Sequence, residues 1–157
     1  MEISDTFSFL VGRWRIHRSI TDHRSGNRGS FTGGGTFVVV DTEASGPRAR
    51  RARYDETGMV SFGAHTGPAS RQLEYIAANA GAVSINFADG RPFVDLDLRR
   101  GHWRSVHPCA DDCYEITTTV QSPDVLEERW AVRGPTKNYD AVTSLTRIRG
   151  EEPGSSS

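Results

Sequence analysis

From Trp14 onward, apolar and polar side chains alternate. Trp14, Ile16, Arg18 and Ile20 fall on one face and Arg13, Arg15, His17 and Ser19 on the other. That is the two-residue period of a strand with one side buried. After a turn at HRSGNRG (23–29), Phe31, Gly33, Gly35, Phe37 and Val39 carry the same period through a second strand. Three consecutive glycines, Gly33 to Gly35, weaken a flat strand but permit a sharp bend or a bulge there. Residues 45–58 read as a basic strand ending in a turn. MVSFGAHTG, RQLEYIAAN, AVSINFADG and RPFVDLDLR follow at intervals of about ten residues, broken by Gly-Pro, Ala-Gly and Asp-Gly. HWRSVHPC, CYEITTTVQ, VLEERWAVR and YDAVTSLTRI complete the series. The spacing predicts about ten or eleven short strands and no helix after residue 10. Ahead of them, residues 4–10 read as a short helix or turn, capped by Ser4 and ended by Gly12, with Phe7, Phe9 and Leu10 as its apolar face. Short strands with regular turn punctuation predict an all-β protein, either a sandwich or an up-and-down barrel.

Composition narrows the picture. A chain of 157 residues is long enough for one domain with a buried core, here placed at 1–149. The remainder, GEEPGSSS (150–157), is polar and is expected to be a disordered tail. A net charge of −1 gives no global field toward nucleic acid or a membrane surface, and neither is expected as a partner. Lys137 is the only lysine. The basic run PRARRAR (47–53) lacks interleaved aromatics and is flanked by Glu43, Asp55 and Glu56, which reads as a charged, protected edge strand. Met1 is followed by Glu2 and Asp5 rather than by a basic start, and no window approaches the roughly 18 apolar residues of a membrane span. A cytoplasmic monomer or homodimer is expected.

FLVGRW (9–14), a short turn followed by Gly-x-Trp at the head of the first strand, resembles the calycin barrels: lipocalins, fatty-acid-binding proteins and nitrobindins. In lipocalins a late arginine packs on that tryptophan, and the resemblance assigns the role to Arg147 or Arg149. A wider likeness runs through Gly12-x-Trp14-x-x-x-Arg18, the Gly33–Phe37 strand, Tyr54-x-Glu56-x-Gly58, Phe87-x-Asp89-Gly90-Arg91-x-Phe93, His107-x-Cys109-x-x-Asp112-x-Tyr114 and Trp130-x-Val132-x-Gly134-Pro135-x-Lys137-x-Tyr139. Over about residues 7–148 it resembles a family of bacterial and fungal domains of unknown function. One position departs: the family pattern has a histidine after the phenylalanine where this chain has Val94. The resemblance implies a calycin-like barrel with an N-terminal plug and carries no activity.

The densest chemistry is HPCADDCY (107–114). If ADD (110–112) is a tight turn, His107 and Tyr114 face each other on paired strands, close enough to interact. A histidine near a carboxylate and a phenol can move protons at neutral pH. The same hairpin has plain readings: Asp112 satisfying the turn and His107 tying the barrel shut. A zinc site of His107, Cys109 and Cys113 with Asp111 or Asp112 is weighed and set aside, because strand faces alternate and no second ligand cluster lies near. A disulfide between Cys109 and Cys113 is disfavoured by the expected compartment. Arg18, on the Trp14 face, must find an anion if it points inward: a ligand, or a structural partner such as Asp112 or Glu128. Lys137 reads as a rim charge beside Gly134-Pro135 rather than as a Schiff-base lysine. No nucleotide-binding or nucleophile-elbow motif is present.

These features predict one pocket for a small, partly apolar metabolite. The leading expectation is cofactor-independent isomerase, cyclase or dehydratase chemistry. His107 would be the acid or base, Asp112 its orienter, and Tyr114 and Arg18 the stabilisers of negative charge. Trp14, Phe37, Tyr75, Phe93, Trp130, Lys137 and Tyr139 are the expected ligand contacts, with no metal and no cofactor. The alternative is a non-catalytic carrier or sensor of an apolar or anionic ligand, with haem through His107 or His17 as a lesser variant.

Overall fold

The computed structural model describes residues 1–40, 49–77, 81–108 and 111–150. Ten antiparallel strands follow one short helix, α1 (Thr6–Leu10): β1 (Gly12–Asp22), β2 (Arg28–Val40), β3 (Arg50–Phe62), β4 (His65–Ala77), β5 (Val83–Phe87), β6 (Pro92–Leu96), β7 (His102–Pro108), β8 (Cys113–Ser122), β9 (Val125–Arg133) and β10 (Asn138–Arg147). The spatial order is β6-β5-β4-β3-β2-β1-β10-β9-β8-β7, so strands adjacent in sequence pair at every step except β6 to β7, and β1 joins β10. This is the up-and-down order of a nearly closed barrel. The two ends of the sheet, β6 and β7, meet through side chains: Ser105 donates to the Asp95 carboxylate at 2.8 Å, and the Trp103 indole donates to the Asp95 carbonyl at 3.1 Å.

The alternation fixes which residues face inward. On β1 these are Trp14, Ile16, Arg18 and Ile20; on β10, Ala141, Thr143 and Leu145; on β3, Ala52, Tyr54 and Glu56. The lower barrel is filled with apolar side chains. Trp14 and Ile16 are fully buried, and Phe37, Tyr54 and Tyr75 form a ring cluster with centroids 4.4–6.1 Å apart. α1 has five residues, too few to be stable alone, and survives by burying Phe7 and Leu10 across the barrel's end. The Thr6 hydroxyl accepts from Leu98 N at 2.9 Å and ties the helix to the chain after β6. Arg147 lies 4.3 Å above the Trp14 ring and donates to the Phe9 carbonyl at 2.8 Å, the seal the lipocalin likeness implied; Arg149 pairs with Asp124 instead.

Several expectations are corrected. Ser4 is not the cap: Asp5 holds that position, and its carboxylate takes Arg50 and the Ser8 hydroxyl rather than a backbone N–H. The basic segment does not turn at residue 58. β3 runs unbroken through Asp55, Glu56 and Gly58 to Phe62, which merges two expected strands into one. It is no edge strand either, because β2 and β4 pair along both its sides and Arg50, Arg51 and Arg53 are bridged to Asp5, Glu74 and Asp55. The Gly67-Pro68 break falls inside β4, where β5 does not reach and a proline is tolerated; the hairpin turns at Gly63, whose φ is 59°. The three glycines of β2 make no bulge. Gly33 lies opposite Gly58, and a Cβ on it would stand 2.1 Å from the Thr57 carbonyl oxygen, so small residues there let the strands approach. Register shifts occur instead at Ile85/Asn86 and Val120/Ser122. The expected tail lies almost wholly outside the described residues.

Candidate functional site

At the end away from α1 the barrel opens into a hollow of about 480 Å³. Its apolar wall comes from Ile20, Val60, Phe62, Ala141 and the Trp130 ring; the β9–β10 loop supplies Thr136 and Lys137 at the rim. The size suits one small molecule.

The floor is polar and organised around Glu56. Arg18 donates two hydrogen bonds to its carboxylate, at 2.9 and 2.8 Å, and a third from Nε to Thr143 Oγ1 at 2.8 Å. The buried Tyr54 hydroxyl donates to Glu56 at 2.7 Å, and Arg71 stands 3.5 Å away. Burial by itself would raise the Glu56 pKa, but the Arg18 hydrogen bonds and the nearby Arg71 charge outweigh it, and the carboxyl is held below its ordinary value. Burial and the adjacent Glu56 push the Tyr54 phenol upward, so it stays protonated as a donor. Arg71 stacks on Trp130, 5.2 Å from its centroid, and its buried Nε has no hydrogen-bond partner. The Trp130 indole donates to Glu128, which lies beneath the floor.

The expected site residues divide into three groups. Arg18, Trp130, Lys137 and Tyr139 line the hollow. Trp14, Phe37 and Tyr75 are buried in the core below it. His107, Asp112, Tyr114 and Phe93 are not part of its lining; Phe93 contacts the His107, Tyr114 and Trp130 rings, and Asp112 and Tyr114 meet the rim residues Thr136 and Lys137. His107 and Tyr114 do pair across β7 and β8, with ring centroids 6.0 Å apart. His107 rests edge-on against Phe93 and Phe87, at 5.2 and 6.1 Å. Among the described residues no hydrogen bond reaches its ring. The Asp112 carboxylate accepts from the Thr136 hydroxyl at 2.8 Å. The Tyr114 hydroxyl accepts from Lys137 Nζ at 2.8 Å, a bond that raises the lysine's pKa and keeps it charged.

Of the two readings left open for Arg18, a ligand anion or a structural ion pair, the structure has the ion pair, and with Glu56 rather than with Asp112 or Glu128, the instances named. Glu56 and Arg71 were the residues sequence reasoning missed. Both were accessible to the same alternation: Glu56 shares a face with Ala52 and Tyr54, and Arg71 with Leu73 and Tyr75. The supposed turn at residue 58 hid the first. Cys113 is an exposed free thiol, and Cys109 lies outside the described residues. No cluster of three metal-ligating side chains occurs among the described residues, and no helix there is long and apolar enough to cross a membrane.

Residues 10–147 match DUF6314, a family of unknown function. The chain belongs to that family. No curated protein matches it. Among solved structures it is similar to the S-type phycobiliprotein lyase CPES from Guillardia theta, at 12% identity and a TM-score of 0.69, with 92% of each chain covered. A redesigned β-barrel, mFAP1, bound to DFHBI, matches at 12% identity and a TM-score of 0.44, over 92% of this chain and all of that one. A protein of unknown function from the DUF3598 family of Nostoc punctiforme matches at 10% identity and 0.45, over 92% of this chain and 50% of that one. At these identities the likeness is one of fold. The barrel shared with the phycobiliprotein lyase is a fold and no more, and the residues of this DUF6314 protein have to supply the chemistry.

Proposed function

We propose that this DUF6314 protein binds a small, partly apolar molecule in the open end of its barrel and acts as its carrier or sensor. The observation that carries this reading is the lining of the 480 Å³ hollow. An indole, a phenylalanine and aliphatic side chains form the wall, and guanidinium groups stand on the floor. Apolar walls with a few fixed polar groups are the usual make-up of a small-molecule site. The floor is preorganised, since Glu56, Tyr54 and Thr143 hold Arg18 before any ligand arrives. Little side-chain entropy is then left to lose on binding.

A ligand-observed NMR screen of aromatic and aliphatic fragments tests it, with Val60→Trp and Ala141→Trp as variants that fill the hollow. Fragments are expected to bind the native barrel and to lose binding in both variants while the thermal melt stays cooperative. Binding that persists in the filled barrels, or no binding to the native one, overturns the reading.

Cofactor-independent acid–base catalysis is the second reading, and one observation favours it: the Tyr114 phenol and Lys137 ammonium are bonded at the rim. The pair puts a phenol O–H and a fixed cation in one place, the groups that a proton transfer with developing negative charge uses. On this reading Tyr114, rather than His107, is the residue to test first, because Asp112 is engaged by Thr136 and does not orient the imidazole. Tyr114→Phe would cost roughly 100-fold in kcat with affinity little changed. His107→Ala with equal loss would restore the histidine as the acid or base.

A further inference from the structure

We propose that the hollow takes an uncharged, flat carbonyl compound, of the class of aryl ketones, quinones, lactams and esters, whose carbonyl oxygen accepts from Arg71 at the floor. This rests on the reading of the hollow as a binding site and names the class of molecule it takes.

Charge sets the first condition. Four cationic side chains line the hollow, Arg18, Arg24, Arg71 and Lys137. Four carboxylates stand against them. Glu56 takes Arg18 at 2.8 Å and Arg71 at 3.5 Å, and Glu128 borders the same small void beneath the floor as both arginines. At the rim, Asp22 accepts from the Arg24 amide, and Asp112 accepts from Thr136, the neighbour of Lys137. The site is balanced. An ion brought into it from water gives up hydration and meets no net opposite charge, whichever its sign. A neutral molecule has no such cost.

Hydrogen bonding sets the second condition. The floor acids do not line the hollow. Glu56 is only 3% exposed and takes Arg18 and the Tyr54 hydroxyl, while Glu128 takes the Trp130 indole. Arg18 is spent as well, with Nε on Thr143 and both terminal nitrogens on Glu56. Arg71 differs. Its contacts among the described residues are the 3.5 Å approach to Glu56 and the face of Trp130, and no hydrogen bond is made. Its side chain is 31% exposed, and a guanidinium carries five N–H donors. The floor therefore offers a donor to the hollow and no acceptor. A carbonyl oxygen meets that donor without bringing a charge. An alcohol accepts too, but it brings a proton that finds no acceptor at that level.

Shape follows from the wall. Trp130 and Phe62 supply its aromatic part, and a flat ring conjugated to the carbonyl packs on such faces with few torsions to freeze. Arg71 is then a specificity-determining residue, the donor that separates a carbonyl compound from a hydrocarbon of the same outline.

NMR titration with three probes of one shape tests this: 2-acetylnaphthalene, 2-isopropenylnaphthalene, in which a methylene replaces the carbonyl oxygen, and 2-naphthoate. The ketone is expected to bind roughly tenfold tighter than the alkene, as for a hydrogen bond from a charged donor, and tighter than the naphthoate. Its affinity should hold from low to high salt. Arg71→Met should erase the advantage of the ketone over the alkene. A naphthoate as tight as the ketone, or ketone binding that falls with salt, overturns the uncharged occupant. A ketone no tighter than the alkene overturns the carbonyl, and this comparison uses the native protein alone. An advantage that survives Arg71→Met overturns the assignment of the donor. Equal binding of all three probes sinks the carbonyl class and spares the hollow as a binding site; binding of none sinks both.

Discussion

The two ends of the barrel carry the same pair of groups and use them differently. At the plugged end, Arg147 lies 4.3 Å over Trp14; at the open end, Arg71 lies 5.2 Å over Trp130. Arg147 spends its donors on the carbonyls of Phe9, Val11 and Pro123, and Trp14 is wholly buried with its indole N–H on the Leu10 carbonyl. Every donor in that pair is committed to the chain itself. Arg71 and Trp130 sit in the wall of a hollow, and Arg71 keeps an unpartnered donor. A cation on an aromatic face is a structural clasp when backbone carbonyls absorb its hydrogen bonds. At the open end the guanidinium approaches only the Glu56 carboxylate, at 3.5 Å, and its Nε has no partner among the described residues.

The contrast can be broken most directly at the two indoles. Trp14→Ala should cost about 3–5 kcal/mol, the range for emptying a filled aromatic site, whereas Trp130→Ala should cost about 1 kcal/mol because the hollow is already open beside it. Urea denaturation measures both, and equal losses would erase the distinction between the ends.

Glu56→Gln comes next. It strands Arg18 over a neutral amide and should cost about 3 kcal/mol, the low end for breaking a buried ion pair. The sign with pH follows from its lowered folded pKa. The stabilisation is fully present above the ordinary glutamate value of 4.5 and is lost as pH falls through the lower folded value. The native protein should therefore weaken on acidification below that value more steeply than Glu56→Gln does. Parallel urea titrations between neutral and acid pH would show it, and identical slopes would remove Glu56 as the anchor of the open end.

The arginines give a sharper test. Arg147→Met should lose about 1–3 kcal/mol through orphaned carbonyls at the plug, with ligand affinity unaffected. Arg71→Met should stay within about 1 kcal/mol of native stability and lose affinity for fragments that bind the hollow. The same pattern at both arginines would contradict the division of labour.

The smallest effect belongs to the outer face of the plug. Arg50 holds the Asp5 carboxyl at about 2, chiefly through their hydrogen bonds, so that pair stabilises above pH 3.8 and fades as pH falls through about 2. Arg50 is 40% exposed, so solvent screens much of the interaction, and Asp5→Asn should cost no more than about 1 kcal/mol. A larger loss in thermal denaturation would mean that α1 depends on this pair more than on Phe7 and Leu10.

Much of the barrel was legible from alternation. The inward phase of Trp14, Ile16 and Arg18 held along β1, and the His107–Tyr114 pairing agrees with the expectation of a hairpin between them. The glycine at 58 was misleading, because a lone glycine reads as a turn when it serves as a point of close approach between strands. The partner of Arg18 was not legible for the same reason: Glu56 lay in what looked like a turn. The density of HPCADDCY drew attention to groups that the fold sets beside the hollow, while Arg71, isolated in its own strand, is brought to the centre of it.

Local sequence determined the strand period, the face each side chain takes and the seal of Trp14 beneath a late arginine, because each depends on residues a few positions apart or on one ladder. The tertiary structure alone decided which inward charges meet. Closing the sheet brings β1, β3, β4 and β9 to one level, so the pairing of Arg18 with Glu56 and of Arg71 with Trp130 is set by barrel curvature and stagger, which no single strand encodes.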